Sequence, residues 1–320
     1  MKIKLLSTLL IITMILCGCS APASEQLHSS VPPVADVSGT DSTSGVNPDV
    51  PIQHTVYLGS FLSDSGDSAN ESLKGLKSAS DLDLYNLGLF VEKIPNTQDS
   101  ITLTFGGKTH RAEYAFTKQS NYAESDLEEL RQLGTVIRYQ TNDNEVIDIS
   151  QVTGDLVSYL DFKDHGNEGN LTESEAIEIG RTLFVELFGE SMVQQYTQTS
   201  IRLSYSSGDS RYWVYFNRII CGYETSDRFS VAVDLNGVVT NVGAKQLGCM
   251  ETAAQKITAE MLDSAENVLG EYIPDHWEIE TKELMINADG VCYLYCAARG
   301  PEEEHDADHC NLIELYVNVN

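Results

Sequence analysis

Leu171-Thr172-Glu173-Ser174-Glu175-Ala176-Ile177-Glu178-Ile179-Gly180-Arg181-Thr182-Leu183-Phe184-Val185-Glu186-Leu187-Phe188-Gly189 is the stretch from which the fold is read. Thr172 can accept a hydrogen bond from an early backbone amide, and Glu175, three residues on, can reach back to close a capping box. Leu171 is placed to pack on Ala176 as a hydrophobic staple. Beyond the cap, Ala176, Ile177, Gly180, Leu183, Phe184, Leu187 and Phe188 recur three and four apart and share one face, with Glu173, Glu178, Arg181 and Glu186 outside. Gly189 stops the helix. Strand signals follow at Ser200 to Tyr205, Tyr212 to Ile219, Phe229 to Asp234 and Val238 to Val242, with turns at Ser206-Ser207-Gly208-Asp209 and Asn236-Gly237. In Arg211-Tyr212-Trp213-Val214-Tyr215-Phe216 nearly every position is apolar or aromatic, so alternation does not choose the buried face. The expected unit is a helix laid across an antiparallel meander.

The same order is read on either side. Upstream, Ile101 to Phe105 meets Gly106-Gly107 and returns as His110 to Phe116, a hairpin. Ser125 is expected to cap a short helix with Leu127 and Leu130 inside, before strands at Val136 to Gln140, Glu145 to Ile149 and Leu156 to Phe162. Downstream, Ile257-Thr258 repeats staple and cap. Met261, Leu262, Ala265, Val268 and Leu269 form the stripe, Gly270 stops it, and Trp277 to Ile286, Val291 to Ala297 and Leu312 to Val319 are the strands. The expected fold class is therefore α+β: tandem small modules, each an amphipathic helix packed on its own antiparallel meander sheet.

Phe216-Asn217-Arg218-Ile219-Ile220-Cys221-Gly222-Tyr223 and Phe229-Ser230-Val231-Ala232-Val233-Asp234-Leu235-Asn236-Gly237-Val238-Val239 resemble the PepSY-type and YcdB/YcdC-type repeats of bacterial cell-surface proteins. Those repeats pair a Leu-Thr-x-x-Glu-Ala helix start with an aromatic-x-Arg-x-x-x-Gly segment and an Asp-x-Asn-Gly turn. The resemblance covers about a quarter of the chain and rests on turn and core residues. It implies envelope binding or regulation of proteases, and it carries no catalytic motif.

The amino terminus supplies an address. Met1-Lys2-Ile3-Lys4 is basic, and Leu5 to Leu16 is an apolar run of about twelve residues, too short to cross a hydrocarbon layer of roughly 30 Å. It reads as a secretory signal. Leu16-Cys17-Gly18-Cys19 resembles a bacterial lipobox, which implies lipidation of Cys19 and a diacylglyceryl anchor on the outer face of the cell membrane. From Ser20 to about Pro51 the composition is polar and aperiodic, as in a disordered tether. The expected organisation is a signal peptide at 1–18, the tether at 19–51, an N-terminal α+β domain and divergent module at 52–165, the central module at 166–250 and a C-terminal α+β module at 251–320. Net charge is −28, and removal of Lys2 and Lys4 with the signal leaves −30. Such a surface repels phosphate polymers, so no nucleic-acid partner is expected.

Five cysteines remain after the lipid site: Cys221, Cys249, Cys292, Cys296 and Cys310. Cys292 and Cys296 lie four apart on one strand, about 13 Å, too far for a mutual disulfide. A Cys296–Cys310 bridge across the acidic segment Pro301 to Asp308 competes with reduced core thiols. Cys296, His305, His309 and Cys310 form the one group with zinc-like chemistry, in a spacing that matches no zinc pattern and reads equally as a solvated loop. Asp64-Ser65-Gly66-Asp67-Ser68 reads as a loop and lacks the ligand spacing of a calcium site. His54, His110, His165 and His276 are scattered, and nucleophile-elbow, phosphate-loop and dinucleotide fingerprints are missing. The expected function is thus a lipid-anchored, extracytoplasmic binding or regulatory protein without catalytic activity or cofactor, engaging an envelope protein or peptide. The competing reading is a metal-binding protein or metalloenzyme built on the carboxy-terminal cysteines and histidines.

Overall fold

The computed structural model describes residues 54–62, 73–86, 88–206, 209–300 and 311–319. The signal, Cys19, the tether, the 64–68 loop and His305, His309 and Cys310 lie outside these residues. The strands are β1 Val56–Leu62, β2 Lys77–Ser78, β3 Leu89–Val91, β4 Ser100–Phe105, β5 Lys108–Gln119, β6 Thr135–Thr141, β7 Glu145–Ser150, β8 Leu156–Asp161, β9 Gln198–Ser206, β10 Asp209–Ile220, β11 Tyr223–Asp234, β12 Val239–Gly243, β13 Glu278–Ile286, β14 Cys292–Arg299 and β15 Leu312–Asn318. The helices are α1 Glu128–Gln132, α2 Glu173–Phe188, α3 Glu190–Val193, α4 Glu251–Ala254 and α5 Ala259–Gly270.

Local chemistry sets the helix ends. The Thr172 hydroxyl accepts from the Glu175 amide at 3.3 Å while the Glu175 carboxylate accepts from the Thr172 amide at 2.9 Å, so the capping box is complete. Thr258 caps α5 in the same way, accepting from the Met261 amide. The third expected cap is displaced. Helix α1 starts behind Leu127 with no side-chain cap, and Ser125 accepts from the Leu127 amide one step earlier. Between β10 and β11 the chain reverses through Cys221 and Gly222, with φ of 49° and 92°. A two-residue turn with both φ values positive matches the right-handed twist of the flanking strands.

The expected tandem modules are not what these elements build. The fifteen strands form one continuous mixed sheet with few helices, rather than a separate meander under each helix. The joining strand is β11. Along one edge it pairs with β10, from Arg211↔Asp234 to Ile220↔Tyr223. Its other edge is shared: Ser230–Val233 pair antiparallel with β12, and Glu224–Thr225 pair parallel with β13. The sheet therefore forks. One branch continues from β12 through β8, β7, β6 and β5 to β3, and the other from β13 through β14, β15 and β1 to β2. Leu84, beyond β2, is bridged antiparallel to Asn287 at the end of β13. The physical reason for the merger is that each isolated meander would leave unpaired edge groups, which neighbouring strands satisfy.

Two cores form, both on the same side. Helix α2 places Ala176, Leu183 and Phe184 against Val214, Phe216, Phe229 and Val231 of β10 and β11, and also against Phe105, Ile137, Ile147 and Tyr159 of the first branch. Gly180 lets it approach closely, since a Cβ there would lie 2.7 Å from Val231. Helix α5 places Leu262, Ala265 and Leu269 against Leu294, Cys296, Leu315 and Val317. Along β10, Phe216 belongs to the first core and Ile220 to the second, with the buried Arg218 between them. These alternate positions share one face, so both helices cover that face and leave the other without a helix.

Candidate functional site

Three polar clusters are buried in the sheet, and the first two are closed by their own partners. In the fork, the buried Asp227 carboxylate accepts from the Tyr196 hydroxyl at 2.5 Å, the Gly248 amide at 2.7 Å, Arg218 Nη1 at 3.1 Å and the Met250 amide at 3.2 Å. Arg218 also donates to Gln195 and Glu251. Burial pushes the Asp227 carboxyl up, and the four donors oppose that shift. Arg218 is the arginine of the aromatic-x-Arg-x-x-x-Gly segment, and its place is structural: it ties the two cores at the branch point.

In the second cluster, buried Glu145 receives Lys108, His110 Nδ1 at 3.0 Å and the Tyr159 hydroxyl at 3.2 Å, with Phe105 stacked on His110 at 4.3 Å. Burial by itself would raise Glu145, but the hydrogen bonds and charges of Lys108 and His110 outweigh it and hold the carboxyl at about 2. A lowered folded value stabilises the protein above the ordinary value of 4.5, and that contribution is lost as pH falls toward 2. Urea titrations should therefore show wild type exceeding Glu145→Gln in stability above pH 4.5, the gap closing on acidification. A gap that does not change with pH would refute the assignment.

In the third cluster His165 lies between Asp161, at 3.4 Å, and Asp234, at 3.1 Å. His54 touches the Asn318 carbonyl and Ser264. Among the described residues no group of three or more acidic, cysteine or histidine side chains has metal-binding geometry.

The helix-free face is different in kind. In the aromatic run, Tyr212 and Phe216 enter the first core, while Trp213 and Tyr215 point the other way, rings parallel within 14° and 6.2 Å apart. Registers extend this face across the second branch: Glu224↔Glu283, Glu283↔Tyr295, Tyr295↔Tyr316, Tyr316↔Tyr57 and Tyr57↔Lys77 are successive partners. Five strand spacings make this row roughly 24 Å long. Arg228, 3.5 Å from Glu283, joins it to the Tyr215 side. Tyr295 donates to Glu314 at 2.7 Å, Lys77 lies over Tyr57 at 5.7 Å, and a Cβ on Gly59 would fall 2.8 Å from the Tyr316 ring. Glycine there lets the tyrosine lie flat on the strand. Trp213, Tyr215, Tyr295, Tyr316 and Tyr57 are all half-buried. A strand with side chains on alternate faces makes this split, but the residues that complete the row come from strands far apart in the chain.

Next to it runs β9, paired over nine residues with β10 in unbroken register and with no other strand among those described. No proline, bulge or lysine protects its outer edge, and Arg202 is its one charge. On the first branch, a cleft of about 190 Å³ between Thr102, Arg111, Glu113 and Gln140 falls below the roughly 300 to 1,000 Å³ of ordinary small-molecule sites.

The cysteines of the competing metal reading separate. Cys296 is fully buried in the second core, where burial pushes its thiol up to about 11, and the other three proposed ligands are not among the described residues. Cys249 and Cys292 are buried beside it, and Cys221 is exposed in its turn.

No protein-family model matches the chain, and none of the curated proteins is similar to it. Among solved structures, the C-terminal domain of Bacillus megaterium YpeB aligns with 74% of this chain and 88% of its own length, at 12% identity and a TM-score of 0.30. A likeness that slight supports no assignment of function.

Proposed function

We propose that this is a lipid-anchored extracytoplasmic binding or regulatory protein that engages an extended protein or peptide in the envelope. The observation that carries the reading is the aromatic, helix-free face beside the open edge of β9. Trp, Tyr and Arg are the residues that dominate binding energy at protein interfaces, and an open strand edge adds main-chain hydrogen bonds to an extended partner. A chain added to β9 runs along the strands and so passes beside Arg202 and its register partner Trp213. The anchor rests on the lipobox-like Leu16-Cys17-Gly18-Cys19, and modulation of envelope proteases is the regulatory form of the same reading.

The anchor-free chain should enrich a protein or peptide from envelope extract, and Trp213→Ala should reduce that enrichment at least tenfold while leaving the circular dichroism unchanged. Equal enrichment by wild type and variant would remove this face from the reading. Incorporation of a labelled fatty acid that disappears in Cys19→Ser checks the anchor separately.

A further inference from the structure

A narrow slot opens where the ends of β5 and β6 meet the connection that follows β12. Its polar lining is Tyr85, Lys118, Ser120, Arg138, Asp148 and Lys245. Asp148 is already committed. It accepts Arg138 Nε at 2.6 Å, Arg138 Nη2 at 2.7 Å and the Ser158 hydroxyl at 2.8 Å, which uses both oxygens. Lys118 and Lys245 make no direct ion pair among the described residues, although both are half-buried, and the one carboxylate of the lining, Asp148, is shared with Arg138, so the slot keeps an excess of positive charge. Lys118 sits instead over the rings of Phe90, at 5.2 Å, and Phe116, at 5.3 Å. In a chain with 48 acidic and 20 basic side chains, two half-buried ammonium groups and an arginine set around a single carboxylate are a feature to be explained. Like charges repel: burial and the charges of Arg138 and Lys245 lower the Lys118 amine from its ordinary value, with Asp148 opposing them.

Size and geometry narrow what would relieve that repulsion. The slot holds about 20 Å³, room for one water-sized group rather than a whole metabolite. Planar carboxylates are best matched by an arginine fork, and here the fork is filled by Asp148. What remains are two compact ammonium charges and the Tyr85 hydroxyl, point donors of the kind that hold a tetrahedral phosphoryl oxygen. At the rim, Phe90, the strand partner of Lys118, is 66% exposed, an apolar shoulder beside the charge.

We propose that this slot takes an oxygen of a phosphoryl group attached to an apolar substituent, with Lys118 and Lys245 as its cationic contacts and Phe90, on the Lys118 face, beneath the substituent. The site is separate from the aromatic face and does not depend on its reading. The global negative charge does not forbid it, because exposed charges more than about 8 to 10 Å away are largely screened at physiological salt.

The full chain from residue 20 onward is titrated with phenyl phosphate, inorganic phosphate and benzoate, followed by amide shifts at residues 118–120 and 134–138. Phenyl phosphate should saturate these shifts at least tenfold more tightly than benzoate and more tightly than inorganic phosphate. Lys118→Gln and Lys245→Gln should each weaken it about tenfold or more with the dispersion of the spectrum unchanged. Added salt should weaken binding as well. Vesicles of phosphatidylglycerol and of phosphatidylcholine separate the sources: lysine-dependent binding to vesicles names a lipid headgroup, and binding confined to the soluble ester names a non-lipid phosphate. Tighter binding of benzoate, no saturable shift with either soluble ester or vesicle, or lysine variants that bind like wild type would each overturn the proposal.

Discussion

Asp227→Ala is expected to lower the melting temperature by roughly 10 °C, the largest effect of any single polar substitution in the chain. Asp227 sits in the crotch of the fork with no exposed surface and accepts four hydrogen bonds, two of them from backbone amides of the chain leaving β12. Removing it takes the acceptor from the Met250 amide and the Tyr196 hydroxyl, strips Arg218 of its buried carboxylate while Gln195 and Glu251 remain, and leaves the Gly248 amide only its longer bond to the Tyr196 oxygen. Breaking a buried pair on one side costs about 3 to 5 kcal/mol, and in a domain this size each kcal/mol moves the transition by about 2 to 4 °C. Asp227→Asn should lose much of the same stability, because its amide nitrogen would face donors. Arg218→Ala should cost less, since it leaves Asp227 with Tyr196 and two amides. Thermal and urea unfolding of the three variants decides it: a cost for Asp227→Ala below about 1 kcal/mol, or a larger loss for Arg218→Ala, would show that the fork is held by packing alone.

Phe184→Ala should be the most damaging apolar substitution, at about 3 to 5 kcal/mol. The ring of Phe184 stacks on Phe229 at 4.3 Å and 16°, meets Tyr196 edge-on at 5.2 Å and lies 5.6 Å from Phe216. It has no exposed surface, and its neighbours are pinned in strands that hold their spacing, so the cavity would not collapse. Phe188→Ala, on the rim of the same cluster, should cost clearly less. Equal losses in urea unfolding would mean that α2 contributes through its whole face rather than through this ring.

Much of the local structure was legible because its causes are local. The box between Thr172 and Glu175, the stripe from Ala176 to Phe188, the cap at Thr258 and the hairpin around Gly106-Gly107 each rest on contacts within a few residues. The Ser125 cap was misplaced for an equally local reason. A 3-10 turn at Asn121–Glu124 uses the preceding residues, and the Ser125 hydroxyl is taken by the Leu127 amide. The candidate face was half legible. Alternation announces that Tyr212 and Trp213 oppose each other, but an all-apolar run does not say which one is buried. Tyr57, Tyr295 and Tyr316 carried no sequence signal as a set, because only strand register lines them up.

What the amino-acid order determined by itself is the set of parts: where helices α2 and α5 begin and end, where the hairpins turn, which stripes are apolar, and a basic-apolar-Cys19 leader read as an address. Tertiary structure alone decided that the parts share one forked sheet, that both helices cover the same face, and that Lys118 and Lys245 line one slot with Arg138 and a single carboxylate. The reason is physical. Capping, turn geometry and helical periodicity act between neighbours in the chain, whereas β11 chooses β12 and β13, and β1 chooses β15, through backbone hydrogen bonds that are chemically alike at every strand edge and depend on which edges are brought together.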